Sequence, residues 1–251
     1  MRAQRKKKNI RPARARVRRG NQQDAEKLRG DLLDAAMQLF AVAGLEGVSM
    51  RAVAARCGVS AMTPYRYFGG KAELLRGLWQ FVLRSLCDRM AEAIEAQSSG
   101  RGRVRSSLEA FLSYYEANPD HYRLLYMTEQ TTQHQEKSGL TSAPVYAELL
   151  GLVRGVLEDF AGELGADTTH VKLAADMRVV MQIGYLHGTL VNVRYPWSDR
   201  SVLRAAYLEQ TIAAVERCLL HGPPRIDAEH GRAPVGGISP LPLAGEGPGE
   251  R

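Results

Sequence analysis

Cysteine is scarce in this chain and widely spaced. Cys57, Cys87 and Cys218 are the only three, and no CxxC pair occurs. An odd, scattered set argues against a disulfide framework or a thiolate metal site. It fits a reducing cytoplasm with buried thiols, with redox sensing as the sharper alternative. The histidines show no ligand spacing, and there is no HExxH. Nucleophile and nucleotide signatures are missing as well. There is no GxSxG and no glycine fingerprint after a strand. The Gly69-Gly70-Lys71 run lacks the leading glycine and trailing Ser/Thr of a phosphate-binding loop. No run of about 18 uncharged apolar residues exists to span a membrane. Strand patterns are nearly absent. We therefore expect no catalytic residue, no metal, no cofactor and no enzyme.

What the chain has is apolar residues at helical spacing. Its 251 residues, 45% hydrophobic, suffice for one large domain or two small ones with a sizeable core. The period is helical nearly throughout, so the expected class is all-α. Charge is unevenly laid out. Residues 1–20 hold ten Lys and Arg and no acid, so a chain of formal charge +7 is left with −3 over residues 21–251. Such a block reads as a disordered basic arm, here taken as residues 1–26, with affinity for polyanions. Twenty extended residues reach about 65–70 Å. That is enough to follow a nucleic-acid backbone or enter a minor groove, with a steep salt dependence. A solubilising tail or a misassigned start codon is the plainer alternative. A secretory signal is not expected, because no apolar segment follows the charges.

Asp31 to Leu75 is the most informative stretch. Leu32, Ala36, Leu39 and Ala43, with Leu33 and Phe40 beside them, form the apolar stripe of a first helix. Gly44 and Gly47 end it. Ser49 is placed to cap a second helix that carries Val53, Ala54 and Cys57 inward. Cys57-Gly58-Val59-Ser60 is a tight corner. Gly58 can take the positive φ it needs, Val59 fills the angle, and Ser60 is placed to cap a third helix from Ala61 to Phe68. Two helices so joined make a helix-turn-helix over about residues 49–68, whose second helix enters the DNA major groove. Its outward residues, Met62, Thr63, Tyr65, Arg66 and Tyr67, can bond phosphates or touch base edges. Lys71 opens a fourth helix, where free N–H groups and the helix dipole add to its charge.

The phrases LLDAAMQLFAVAG, SMRAVAARCGVS, TPYRYF and GGKAELL follow one another here in the order and spacing of a known family. This region resembles the N-terminal DNA-binding domain of TetR-family bacterial transcriptional regulators. The resemblance runs from Leu32 through Leu75, about a fifth of the chain; the remainder is similar only in length and layout. It implies Ser49, Thr63, Tyr65 and Lys71 on phosphates, and Arg51, Met62 and Tyr67 at or near base edges. Pro64 departs from the pattern, standing where the family usually has a buried leucine or similar residue. Near the first turn of a helix its missing N–H does least harm. The DNA-binding domain is placed at residues 27–75.

Residues 76–221 read as a larger helical domain for ligand binding and dimerisation. A fourth helix should run to about Gln97, with Trp79 where the two parts meet. Residues 98–102 read as a loop. A fifth helix spans Val104 to Ala117. Asn118-Pro119-Asp120 starts a sixth, which runs to about Thr131. A polar loop follows to Ser142, and a seventh helix spans Ala143 to Leu164. Asp167 or Thr168 should cap an eighth helix, and Ser198 or Asp199 a ninth. The eighth carries two apolar series: Leu173, Met177, Val180, Gly184 and Val191, then Val179, Ile183, Leu186, Leu190 and Val193. The ninth has large residues on one face and Ala206, Ala213 and Ala214 on another. A helix apolar on two faces must be covered from two sides. The pair is therefore expected to pack on a second copy as a four-helix bundle, through Met177, Val180, Gly184, His187, Gly188, Val191, Ala206 and Ala213. The family it resembles forms its homodimer interface in this way. The alternative is a monomer in which the eighth helix is simply central.

Phe111, Tyr114, Tyr115, Tyr126, Met127, Met177, Met181 and Tyr185 are candidates for lining a pocket suited to an apolar or aromatic small ligand. The same residues at helical spacing are also what an ordinary core contains. The resemblance implies an inducer pocket in this region. Residues 222–251, rich in Gly and Pro, read as a disordered tail. Two functional readings stand. One is a ligand-responsive, DNA-binding transcriptional regulator: a cytoplasmic homodimeric repressor, with no membrane partner, released by a small molecule from a palindromic operator in double-stranded DNA. The other is an architectural or general nucleic-acid-binding protein led by the basic arm. A regulator should prefer its own site by about 10³-fold or more, and an arm-led binder should not.

Overall fold

The structure, a computed structural model, describes residues 13–128 and 143–223, with side chains from residue 23 onward. The expected arm over residues 1–12, the loop at 131–142 and the tail from residue 224 lie outside the described residues. Those described form nine helices and no strand: α1 Ala13–Gly47, α2 Met50–Arg56, α3 Thr63–Tyr67, α4 Lys71–Glu95, α5 Gly100–Ala117, α6 Pro119–Tyr126, α7 Pro144–Glu163, α8 Val171–Val191 and α9 Arg200–His221. An all-α architecture was expected, and it is observed.

Residues 13–26 correct the sequence reading. They were assigned to a disordered arm, yet α1 runs through them from Ala13. The run is made largely of Ala, Arg, Gln and Glu, all good helix formers. Once the buried stripe fixes a nucleus, adding turns costs little. That stripe is Leu32, Leu33, Ala36, Met37 and Phe40. Leu39 is only half-buried and Ala43 is exposed, so the buried face is rotated slightly from the expected one. Gly44, at φ 62°, breaks α1 before its last turn.

α1 packs on α4, α2 packs on α1, and α3 packs on α2. Leu74, Leu78, Val82, Leu86 and Met90 place one continuous stripe along α4, and all five are fully buried. Burying a leucine of this kind contributes roughly 1.5–3 kcal/mol. The second half of α4 packs on α5 and α7, and α5 in turn meets α8 and α9. The core therefore passes from the helix-turn-helix to α9 without interruption.

Several helix ends differ from expectation. α5 begins at Gly100, not Val104, because the Ser99 hydroxyl accepts from the Gly102 N–H at 3.0 Å. Asn118 does not cap α6 with its side chain. Its amide instead donates to the Tyr114 carbonyl at 2.8 Å and serves the end of α5. α8 starts only at Val171, while Asp167 is used in a turn, accepting from the Thr169 N–H at 2.7 Å. Asp199 caps α9 through the N–H groups of Ser201 and Val202, as expected.

Gly100 is buried where α5 crosses α7. A Cβ there would lie 2.7 Å from Phe160 Cα and 2.9 Å from Phe160 N. Those are backbone atoms and cannot swing aside. Gly100→Ala should therefore destabilise the protein by about 1–3 kcal/mol, measured as a lower denaturant midpoint at unchanged slope. An unchanged midpoint would mean that the crossing is looser than described.

Candidate nucleic-acid interface

The site is built around a helix too short to hold itself. α3 has five residues and no side-chain cap, with Met62 in the cap position. Isolated, such a helix is unstable in water. Ser60, expected to cap it, pairs its hydroxyl instead with that of Thr63 at 2.9 Å. What anchors α3 is its inner edge. Pro64 is buried at the first turn, where it forfeits no hydrogen bond. Phe68 is 3% exposed, and its ring lies over Gly77 of α4, where an added Cβ would be 3.0 Å from it. The Arg29 guanidinium covers the ring at 5.2 Å from its centroid. At the corner, Gly58 takes φ 66°, a conformation costing roughly 1–2 kcal/mol for a residue with a side chain.

With Pro64 and Phe68 inward, Met62, Tyr65 and Arg66 are exposed, and Thr63 and Tyr67 are half-buried. Ser49 and Arg51, at the start of α2, and Lys71, at the start of α4, are exposed as well. From Gly47 to Ala72 the chain contains no acid and four cations, Arg51, Arg56, Arg66 and Lys71. The hydroxyls and the ammonium are partly engaged yet keep donors free. Ser49 accepts from the Ala52 N–H at 3.1 Å, which leaves its own O–H to donate. The Ser60–Thr63 pair uses one proton of two. Lys71 uses one of its three N–H donors on the Leu45 carbonyl at 2.7 Å, a contact that sequence reasoning missed. Arg56 is turned aside, donating to Gln38 at 2.6 Å. The result is a cationic surface whose outward groups are mostly hydrogen-bond donors, as phosphate contact requires.

The candidate pocket residues are not gathered into one cavity. Phe111, Tyr114 and Tyr115 are buried in an aromatic cluster, with Tyr115 edge-on to Phe111 at 5.0 Å and to Tyr126 at 5.8 Å. The Tyr114 hydroxyl donates to the Val82 carbonyl at 3.0 Å, so His121 Nδ1, at 2.8 Å, carries the proton between them. Burial holds the His121 pKa below its ordinary value, against the pull of Asp120 and Asp34. Tyr126 and Met127 reach the surface. Met177 lines a hollow of about 520 Å³ beside Ala214 and Cys218. Met181 and Tyr185 belong to a shallow groove of about 450 Å³ between α8 and α9.

Of the candidate interface residues, Val180, Gly184 and Ala206 line that groove, and Val180 is 71% exposed. His187 is exposed, and Met177, Val191 and Ala213 are half-buried. Gly188 is covered by its own chain, because a Cβ there would lie 3.2 Å from the Trp197 ring. Sequence reasoning missed the inner face of α8, where Arg178, Gln182 and Thr189 are buried. The i, i+4 spacing of Arg178 and Gln182, in line with the apolar Ala174 and Leu186, was the available signal.

Residues 32–78 match the model of bacterial regulatory proteins of the tetR family. Along most of its length the chain is 26% identical to the HTH-type transcriptional activator FasR of Mycolicibacterium smegmatis, covering 82% of this chain and 89% of that one. The transcriptional repressor DrrR1 of Streptomyces coeruleorubidus is 38% identical, but over 35% of this chain and 32% of that protein. Among solved structures, the FadR regulator of Bacillus subtilis in complex with stearoyl-CoA superposes with a TM-score of 0.58 at 17% identity, over 77% of this chain and 98% of that one. The TetR-family regulator PfmR of Thermus thermophilus gives 0.53 at 20% identity, over 75% and 96%. These superpositions carry the fold. The segment matched by sequence holds the α1 stripe, α2, α3 and the Lys71–Leu78 start of α4, and that segment is a DNA-binding domain of the tetR type.

Proposed function

We propose that the protein acts as a homodimer, that it represses transcription from a two-fold symmetric operator, and that a small molecule releases it. The observation that carries this reading is the acid-free, donor-rich surface from Ser49 to Lys71, mounted on the rigid inner edge of α3. Ser49, Thr63, Tyr65 and Lys71 contact phosphates, while Arg51, Met62, Arg66 and Tyr67 lie at or beside base edges. The groove between α8 and α9, with Val180 at its rim, accepts the same face of a second copy. Two recognition helices are then set about 34 Å apart, one DNA turn. Repression follows if the operator overlaps a promoter. FasR, the relative matching along most of the chain, is named an activator; for an activator, release would lower transcription instead. A promoter fusion read with and without the gene decides the sign.

Three outcomes test the proposal. Tyr65→Ala combined with Lys71→Ala removes two contacts to charged groups, each worth about 1.5–3 kcal/mol. Operator affinity in a gel-shift assay at physiological salt should fall at least about 100-fold. Retention of tight binding would overturn the residue assignment. Val180→Glu places a charge in the groove, and sedimentation should then report monomers where the unaltered protein sediments as a dimer. If the variant remains dimeric, the interface lies elsewhere. Removing residues 1–20 should flatten the salt dependence of binding and keep the preferred sequence. Loss of the sequence preference would favour a protein led by its basic arm.

A further inference from the structure

The inner face of α8 holds the single buried charge among the described residues. Arg178 is 0% exposed, and none of its three guanidinium nitrogens meets a hydrogen-bond acceptor. One turn further along α8, Gln182 Oε1 is also without a partner. On α9, the hydroxyls of Tyr207 and Thr211, again one turn apart, meet no partner beyond each other. Tyr207 is the group near enough to act on the guanidinium charge, and it interacts with Thr211 in turn. With the Tyr115 hydroxyl, these account for all but one of the unpartnered buried side-chain polar groups among the described residues; the other is Trp79. Among the described residues no carboxylate serves this cluster. Glu116, on the neighbouring α5, is held by Arg204 at 3.2 Å. Burial lowers Arg178 to about 10, which leaves it charged at neutral pH.

A charged guanidinium in a core is tolerated when an anion and further hydrogen bonds meet it. The described residues supply neither here. We propose that Arg178 is the anion-reading residue of an effector site within the helical domain, and that the effector is a monoanionic carboxylic acid with an apolar body. The charge count fixes the class. One guanidinium neutralises one carboxylate, bidentately. The hydroxyls of Tyr207 and Thr211 complete the shell as neutral donors. A polyphosphate or a coenzyme thioester would bring further negative charges with no second buried cation among the described residues to meet them. The apolar body would lie against the Tyr207 ring, the group that acts on the Arg178 charge. Tyr207 also gives the site its outlet. Its ring stacks on Tyr185 at 4.4 Å, and both line the outer groove. A carboxylate drawing on the Tyr207 hydroxyl therefore acts on a surface that we assign to dimer packing.

The inference rests on the ligand response proposed above, and its test separates the two. The full chain is titrated with hexanoate, dodecanoate, hexadecanoate and 1-naphthoate, each beside its neutral primary amide, with dodecanoyl-coenzyme A as the polyanionic arm. Calorimetry and thermal melting are the readouts. At least one acid should raise the melting temperature and bind at least about tenfold more tightly than its amide, and the coenzyme thioester should bind more weakly than the free acid. R178M should lose the preference for acid over amide. With no addition it should also melt higher than the unaltered protein, because an apolar side chain replaces an unpaired charge. Four results would overturn the inference: no acid binds, amides match acids, the thioester binds best, or R178M melts lower or fails to fold. The last would mean that groups of this chain hold the guanidinium. Operator binding without additive is measured in parallel on the unaltered protein. If it persists while the acids fail, the regulator stands and the acid site does not. If operator binding is absent, the regulator reading fails.

Discussion

The orientation of the whole DNA-facing surface hangs on Phe68 packed over Gly77. α3 has one and a half turns, no side-chain cap and a proline in its first turn. None of its own hydrogen bonds could keep it helical. Its inner edge is fixed because the Phe68 ring lies against α4 where Gly77 has no Cβ, with the Arg29 guanidinium over the ring. The outward direction of Met62, Tyr65 and Arg66 follows from that contact, since residues on a helix cannot be turned independently. A side chain at position 77 would push the ring, and the entire polar edge would turn with it.

The same helix that anchors the recognition element also enters the second core, so the two parts share a rigid member. Three further links tie them. Lys71 holds the Leu45 carbonyl after the break in α1. Arg123 of α6 lies over the Phe40 ring of α1 at 5.9 Å. Tyr114 joins the α4 backbone to His121 at the start of α6. α6 thus touches α1 on one side and the aromatic cluster on the other. A displacement within that cluster has a mechanical route to α1 that does not pass through solvent.

The helix-turn-helix was legible in the sequence because its determinants are local. A cap at Ser49, a glycine able to take positive φ at position 58 and an apolar stripe can each be read within a few residues. What was not legible depends on distant partners. Ser60 looks like a cap for α3 until Thr63 takes its hydroxyl. Asn118 looks like a cap for α6 until its amide turns back to Tyr114. Gly188 reads as an interface residue until Trp197, nine residues on, covers it. The start of α1 was misjudged for another reason. Dense positive charge was taken as disorder, although the same arginines are good helix formers once a packed nucleus lies downstream. The pocket candidates were chosen by residue type, and type does not reveal which side of α8 a methionine occupies: Met177 and Met181 lie outward, while the inner face carries Arg178.

That division of α8 into an apolar outer face and a polar inner one bears on how large a ligand response can be. A 100-fold loss of operator affinity requires about 2.7 kcal/mol of difference in ligand binding between two arrangements of the dimer. A charge-assisted hydrogen bond formed in one arrangement and not in the other supplies about 1.5–3 kcal/mol. One guanidinium and one tyrosine hydroxyl, engaged in a single state, are therefore enough. Apolar contacts alone would have to differ by roughly 100 Å² of buried surface between the states. That is a large change for helices packed as closely as α5 against α7 at Gly100. The polar inner face of α8 is the more economical lever. Its position opposite the groove allows a sub-ångström adjustment at Tyr207 to reach the second copy through the stacked Tyr185.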